Sequence, residues 1–389
     1  MNKFDVIIVG GGMTGMASCL ALANLGLKVA VIERKAPLAF DVSQPYDLRV
    51  SAISLGSEKY LKSLNVWPTI LQSRLCPYSR LGVWELAQAY TEFNAQSINE
   101  HHLGHIIENR LIQLALWQQA EQHNNVSLFV GEEVSQLEQL PEYAKLTLGN
   151  QQLSAPLCVG ADGANSWVRK QANIGCTGWN YKQSAMLINV KTDSPQQDIT
   201  WQQFTPSGPL AMLPLSGNFA SLVWYQSKEK IAALGQLSER ELTAEIANVF
   251  PEKLGRIEVI AKGTFPLTRQ HANSYVKNRV LLLGDAAHSI NPLAGQGVNL
   301  GFKDVNTLQQ VIASAIGEGK CWHIGEILKQ YENIRRKDNL LMMSAMDALY
   351  GMFSNDLPLL KGIRNLGLFV ANRTPVLKEK ALAYACGIN

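Results

Sequence analysis

Short apolar runs, each followed by a glycine-rich turn and then by residues at helical spacing, recur along the chain. Asp5 to Val9 is the first such run; Gly10-Gly11-Gly12-Met13-Thr14-Gly15 follows it, then "GMASCLALANL", then the strand-like "KVAVIE" ending at Glu33. The stretch "APLCVGADGANSWVRKQ" repeats the order with the turn Ala161-Asp162-Gly163, and "NRVLLLGDAAHSINPLAGQGVNLGFKD", Asn278 to Asp304, repeats it again. Continuous apolar runs, in place of alternation, predict strands buried on both faces, as in a parallel sheet with helices packed against it. The expected fold class is α/β, built on a doubly wound nucleotide-binding domain.

Between the second and third units the texture changes. "DITWQQFTPSGPLAMLPLSGNFASLVWYQS" consists of short runs rich in Trp, Phe, Leu and Val, split by Pro-Ser-Gly and Ser-Gly-Asn turns. This predicts an antiparallel sheet of three or more strands, inserted between halves of the nucleotide-binding domain. Trp201, Phe204 and Trp224 read first as core residues of that sheet, and second as an apolar wall for a ligand. From Leu340 onward apolar residues recur at helical spacing, broken at Pro358 and Pro375, with Lys361, Arg364, Arg373, Lys378 and Lys380 interspersed.

With 389 residues, two domains or one interrupted domain are expected. A net charge of +3, without a Lys/Arg block, gives no basis for a nucleic-acid partner. The six cysteines show no C-x-x-C and read as buried small hydrophobes, which fits a reducing, cytoplasmic setting. No apolar run reaches the ~18 residues that cross a bilayer, and the opening strand leaves no expectation of a leader peptide.

Gly10, Gly12 and Gly15 match G-x-G-x-x-G, whose glycines serve a tight turn, close approach to a pyrophosphate and close helix packing. Glu33, 18 residues after Gly15, stands where a carboxylate accepts hydrogen bonds from a ribose diol. The ligand is therefore FAD or NAD, and this motif by itself does not choose.

The Asp162-Gly163 turn and the Gly284-Asp285 turn resemble the fingerprints of the FAD-dependent aromatic hydroxylases, the single-component flavoprotein monooxygenases. "TWQQFTPSGP", "FPLTRQHA", "INPLAGQGVNLG" and "IRNLGL" narrow the resemblance to the ubiquinone-biosynthesis hydroxylases. The resemblance implies a Rossmann-like FAD-binding domain made of residues 1–75, 100–178 and 272–339, a substrate domain of 76–99 and 179–271, and a helical C-terminal segment 340–389. It also implies that both outer turns serve one FAD: the N-terminal turn holds the adenosine diphosphate half, Asp285 the ribityl chain, and Pro292, Gly295, Gln296, Gly297, Val298 and Asn299 the isoalloxazine. Arg49 and Arg110 stand where the family places flavin contacts, though each is also readable as a surface cation. The implied reaction uses NAD(P)H and O2 to hydroxylate the ring of a polyprenylated benzoquinol through a flavin C4a-hydroperoxide; the alternatives are a sister hydroxylation at a different ring position, a flavin reductase, and a non-catalytic FAD-bound partner in a biosynthetic complex. No second G-x-G-x-x-G follows a strand, so the nicotinamide is expected to visit without a domain of its own.

No side-chain acid or base is legible. His288 is the weak catalytic candidate; its competing reading is a packed histidine bonded to backbone. His101, His102 and His105 have ligand-like spacing but lack a third constrained ligand type in sequence, so no metal is expected. The C-terminal segment has three readings: helices closing the FAD domain, a packing surface in a homo-oligomer, or a basic amphipathic surface touching the cytoplasmic face of a membrane or a biosynthetic complex.

Overall fold

The computed structural model describes residues 2–291, 295–353, 362, 364–365 and 374–388. A six-stranded sheet has the order Val276–Lys277, Val280–Leu282, Leu157–Gly160, Val6–Val9, Val29–Glu33, Val126–Val130. Every neighbouring pair in it is parallel except the first. Val6, Ile7, Ile8, Leu157, Cys158, Val159, Val280, Leu281 and Leu282 are all fully buried, which explains why these strands read as unbroken apolar runs. Helices Met13–Ala23, Asn109–Glu121 and Gly297–Gly317 add Met16, Leu20, Leu116, Leu308 and Ile312 to the same core.

The inserted sheet has eight strands, in the order His288–Ser289, Ile257–Ala272, Cys176–Thr192, Phe219–Ser227, Leu210–Leu215, Ile199–Gln203, Arg80–Trp84, Thr91–Asn94. It is antiparallel apart from one parallel contact between Ile199–Gln203 and Arg80–Trp84. That contact brings in chain from before residue 100. One face carries Met186, Ile188, Trp201, Met212, Leu222 and Trp224 and is covered by helices Lys228–Gln236 and Glu239–Val249. Sequence reading anticipated only a sheet here, although the second helix opens with a Ser238/Glu241 capping box that marks its start.

Trp201 and Trp224 are therefore core, as their first reading held, and Phe204 stacks on Phe353 with ring centroids 4.0 Å apart. The opposite face, fixed by the register Leu187–Val223–Gly263 and Ala185–Tyr225–Phe265, is turned away from the helices. On it Leu187, Ala211, Val223 and Phe265 are half-buried.

The two sheets share strand material. Ile257–Ala272 ends in the nucleotide-domain core at Ala272, and its His271 pairs in register with His288, four residues beyond Gly284. A three-stranded sheet of Val50–Ser54, Gly104–Glu108 and Leu75–Tyr78 lies alongside. Helix Gly325–Phe353 runs without interruption through residue 340, and a last helix spans Pro375–Cys386. Arg364 is buried against Glu85, tying the C-terminal region to the inserted sheet. Pro358, Lys361 and Arg373 lie outside the described residues. Among the described residues no helix is long and apolar enough to cross a membrane.

Candidate functional site

The three glycine turns sit at the carboxyl ends of three adjacent parallel strands, where ligands bind in open α/β sheets. Gly10 has φ +107°, and a Cβ there would lie 2.4 Å from the Ala161 carbonyl oxygen, so the first turn is packed on the second. A Cβ on Gly15 would lie 1.9 Å from the Gly10 oxygen, which is the close helix packing the motif requires. Gly12 differs from both: no atom comes within 4 Å of its Cβ position, and its φ of −71° is ordinary. Its glycine is not demanded by the protein's own packing.

The first and third turns also meet. A Cβ on Gly284 would lie 3.1 Å from the Thr14 side chain, and one on Gly301 only 2.3 Å from Thr14 Cγ2. Thr14, one of the unspecified positions in G-x-G-x-x-G, thus fills the angle between helices Met13–Ala23 and Gly297–Gly317. Both helices begin with no side-chain cap, leaving first-turn N–H groups free toward the common edge of the sheet.

The polar candidates line that edge with different degrees of engagement. Glu33 closes its strand and accepts the Gly11 N–H at 2.6 Å. Arg110 spans outward: its guanidinium donates to Asp47 at 2.8 Å and to the carbonyls of Leu38 and Ala39 at 3.0 and 2.9 Å, holding the 38–47 loop to the start of helix Asn109–Glu121. Asp162 accepts the Val168 N–H at 3.0 Å through one oxygen, while its other oxygen is buried without a partner, and Gly163 takes the left-handed φ of +80°. Arg49 is exposed and makes no ion pair among the described residues, yet its charge reaches Asp285.

Asp285 is accessible to solvent but so surrounded by protein that burial raises its carboxyl pKa, against the lowering pull of His288 and Arg49. Pro292 lies outside the described residues. Gly295, with φ +62°, Gln296, Gly297 and Val298 are half-buried and form the entry to the third helix, and no atom lies within 4 Å of a Cβ on Gly297.

Comparison with known proteins agrees with this arrangement. The signature of an FAD binding domain matches residues 3–343. The chain is 47% identical over 385 residues to 3-demethoxyubiquinol 3-hydroxylase of Escherichia coli (strain K12), covering 99% of this chain and 98% of that one. It is 33% identical to the mitochondrial ubiquinone biosynthesis monooxygenase COQ6 of Danio rerio, covering 98% of this chain and 89% of that one. The fold is also that of p-nitrophenol 4-monooxygenase PnpA from Pseudomonas putida DLL-E4, with TM-score 0.78 at 18% identity over 98% of this chain and 97% of that one.

The chain belongs to the FAD-dependent aromatic hydroxylases.

An aromatic hydroxylase of this family binds FAD, and the residues present fit it. The unobstructed Cβ direction at Gly12, the unpartnered Asp162 oxygen, the uncapped N–H groups and the solvent-accessible Asp285 carboxyl are polar or open features with no partner among the described residues. Asn299 is different. Its side chain is consumed by protein: Oδ1 accepts from Ser54 N–H at 3.0 Å and Ser57 Oγ at 2.7 Å, and Nδ2 donates to the Ala52 carbonyl at 2.9 Å. Only its backbone is available to a flavin, and its amide group braces the 52–57 chain against the loop.

His288 proves to be packed, as its competing reading held, but its partner is a carboxylate and not backbone. His288 Nε2 lies 2.5 Å from Asp304 Oδ2, and both residues are buried. Asp304 also accepts the Gly284 N–H at 3.1 Å, Arg335 Nε at 2.8 Å and Asn339 Nδ2 at 3.0 Å. Burial alone would raise the Asp304 pKa; the His288 ring and Arg335 outweigh it and hold the group well below the usual carboxylate range. This network locks the Gly284 turn to the two long C-terminal helices. Arg169 locks it from the other side, donating to the Ala286 carbonyl at 2.7 Å and the Ala164 carbonyl at 2.8 Å. Neither Asp304 nor Arg169 carried a sequence signal beyond being a charge inside an apolar-periodic segment.

The histidine triplet separates. His101 is exposed, whereas His102 and His105 converge on Glu58, more than forty residues earlier in the chain.

Proposed function

We propose that this flavoprotein hydroxylates the ring of a polyprenylated benzoquinol of the 3-methyl-6-methoxy type in ubiquinone biosynthesis. The observation that carries the reading is the half-buried apolar strip Leu187, Ala211, Val223 and Phe265 on the sheet face opposite helices Lys228–Gln236 and Glu239–Val249, joined to the nucleotide side where Leu48 packs 3.0 Å from the Cβ direction of Gly263. Near-full-length identity of 47% to a relative named for 3-demethoxyubiquinol supports the substrate class. The relationship to COQ6 keeps a sister reaction at another ring position as the second reading.

When bound, FAD supplies the redox chemistry, taking electrons from NAD(P)H and activating dioxygen. The chain supplies position and environment. Gly12 and the first-turn N–H groups would receive the pyrophosphate, Glu33 the adenosine ribose, Asp285 the ribityl chain, and the backbone of residues 295–299 the isoalloxazine. The helix end at Gly297 favours negative charge there by roughly 0.3–2 kcal/mol. The apolar strip orients the quinol ring and keeps water away, since a wet site would release oxidant unproductively. The prenyl tail of such a substrate resides in a bilayer, and exposed Ile334 and Leu341 on helix Gly325–Phe353 would meet its surface.

Turnover of a short-chain demethoxyubiquinol under isotopically labelled dioxygen tests the reading. One labelled oxygen at the unsubstituted ring carbon is expected. NAD(P)H oxidation with no label in the product would overturn hydroxylation, and failure to label this substrate together with labelling of a less substituted polyprenylphenol at another ring carbon would select the sister reaction.

A further inference from the structure

Glu58 on helix Leu55–Ser63 faces the segment that enters strand Gly104–Glu108. Its Oε2 lies 2.7 Å from His102 Nε2 and 3.2 Å from His105 Nδ1, and one donor atom from each residue lies within 4.8 Å of the others. Glu58 and His105 are buried, and the His102 side chain is 25% exposed. His105 Nδ1 is buried and makes no hydrogen bond: it is close to Oε2 but not aligned with it. A buried ring nitrogen without a partner costs free energy unless something accepts its lone pair. Lys62 Nζ holds the other oxygen, Oε1, at 2.6 Å, so that Oε2 is the one presented to both imidazoles.

We propose that Glu58, His102 and His105 form a zinc site. Two imidazole nitrogens and one carboxylate oxygen are a donor set that zinc accepts at about 2.0–2.2 Å, with water as fourth ligand on the open His102 side. Tetrahedral bonds of that length separate donor atoms by about 3.3 Å, so the present separations close on the ion by side-chain adjustment. The His105 ring is already oriented by edge-on packing against Trp67, with centroids 5.2 Å apart. Lys62 is the opposing charge, but its side chain is 52% exposed and stays on the far oxygen or swings into water. The ion would pin helix Leu55–Ser63 to strand Gly104–Glu108. One turn away, Ser54 and Ser57 hold Asn299 at the entry to the third helix.

The test is a zinc titration of the FAD-loaded protein, stripped with chelator, against a zinc-responsive chromophore. The comparison is the double variant His102→Gln, His105→Asn, whose amides take the places of Nε2 and Nδ1 in size and polarity but bind zinc poorly. We expect one equivalent per chain in the unmodified protein and an affinity loss of about 100-fold or more in the variant. Should the double variant fail to fold by circular dichroism, His102→Gln alone serves, since that side chain is partly exposed. No stoichiometric uptake by the unmodified protein, or uptake undiminished in the variant, overturns the site.

Discussion

Thr14 Cγ2 occupies the place that a side chain on Gly301 would need, 2.3 Å from that position. Residues nearly three hundred apart in sequence are thereby matched in size, and the match sets how closely the N-terminal nucleotide helix approaches the helix at the reactive end of the site. Gly301→Ala should destabilise the protein by about 1–3 kcal/mol through overpacking, despite alanine's better helix propensity. Thr14→Ser removes the offending methyl, so the double variant should recover most of the loss. A double-mutant cycle in chemical denaturation should show coupling of about 1–3 kcal/mol; additive losses would show that Thr14 is not the obstacle.

Gly10 and Gly12 stand two residues apart and should fail differently. Gly10→Ala places a methyl against the Ala161 carbonyl in a left-handed backbone and should prevent stable folding. Gly12→Ala meets nothing within 4 Å. Its apoprotein should melt within about 2 °C of the parent, whereas FAD affinity should fall about 10-fold or more, near 1.4 kcal/mol. Flavin fluorescence quenching beside calorimetry of the apoprotein separates the two effects.

Asp285 carries a raised carboxyl pKa, chiefly from burial. For an acid whose folded pKa exceeds its unfolded one, the folded state holds more protons between the two values, so stability falls as pH rises through that window and the cost persists at neutral pH. Asp285→Asn should therefore raise the melting temperature of the apoprotein at pH 7 while weakening FAD binding. A lower melting temperature would mean that the carboxylate is serving the fold.

His271 has its pKa lowered to about 4, by burial first and then by Arg336, His288 and Arg269. Between that value and the ordinary 6.5 the unfolded chain binds the extra proton and the folded one does not, so stability is lost as pH falls from 6.5 toward 4. At about 1.4 kcal/mol per pH unit, roughly 2 kcal/mol should disappear by pH 5. His271→Gln, which keeps a polar group able to pair with the Tyr275 hydroxyl 3.0 Å away, should lose less stability over the same interval when melting curves are compared.

The sequence by itself determined the parts set by neighbours along the chain. Unbroken apolar runs such as Val6–Val9 and Val280–Leu282 announced strands buried on both faces, and Gly10 and Gly15 announced close approaches. Those signals were legible because backbone conformation and two-sided burial restrict residue type locally. Tertiary structure alone decided which polar groups converge. Asp304 joined His288 and Arg335, Arg169 reached the Ala286 carbonyl, and Glu58 arrived beside His102 and His105. It also assigned Asn299 to bracing the 52–57 chain and added the helices that cover one face of the inserted sheet. A polar side chain buried for the sake of one distant partner leaves no periodicity behind; its partner is chosen by the order in which strands and helices stack, and that order exists only once the chain has folded.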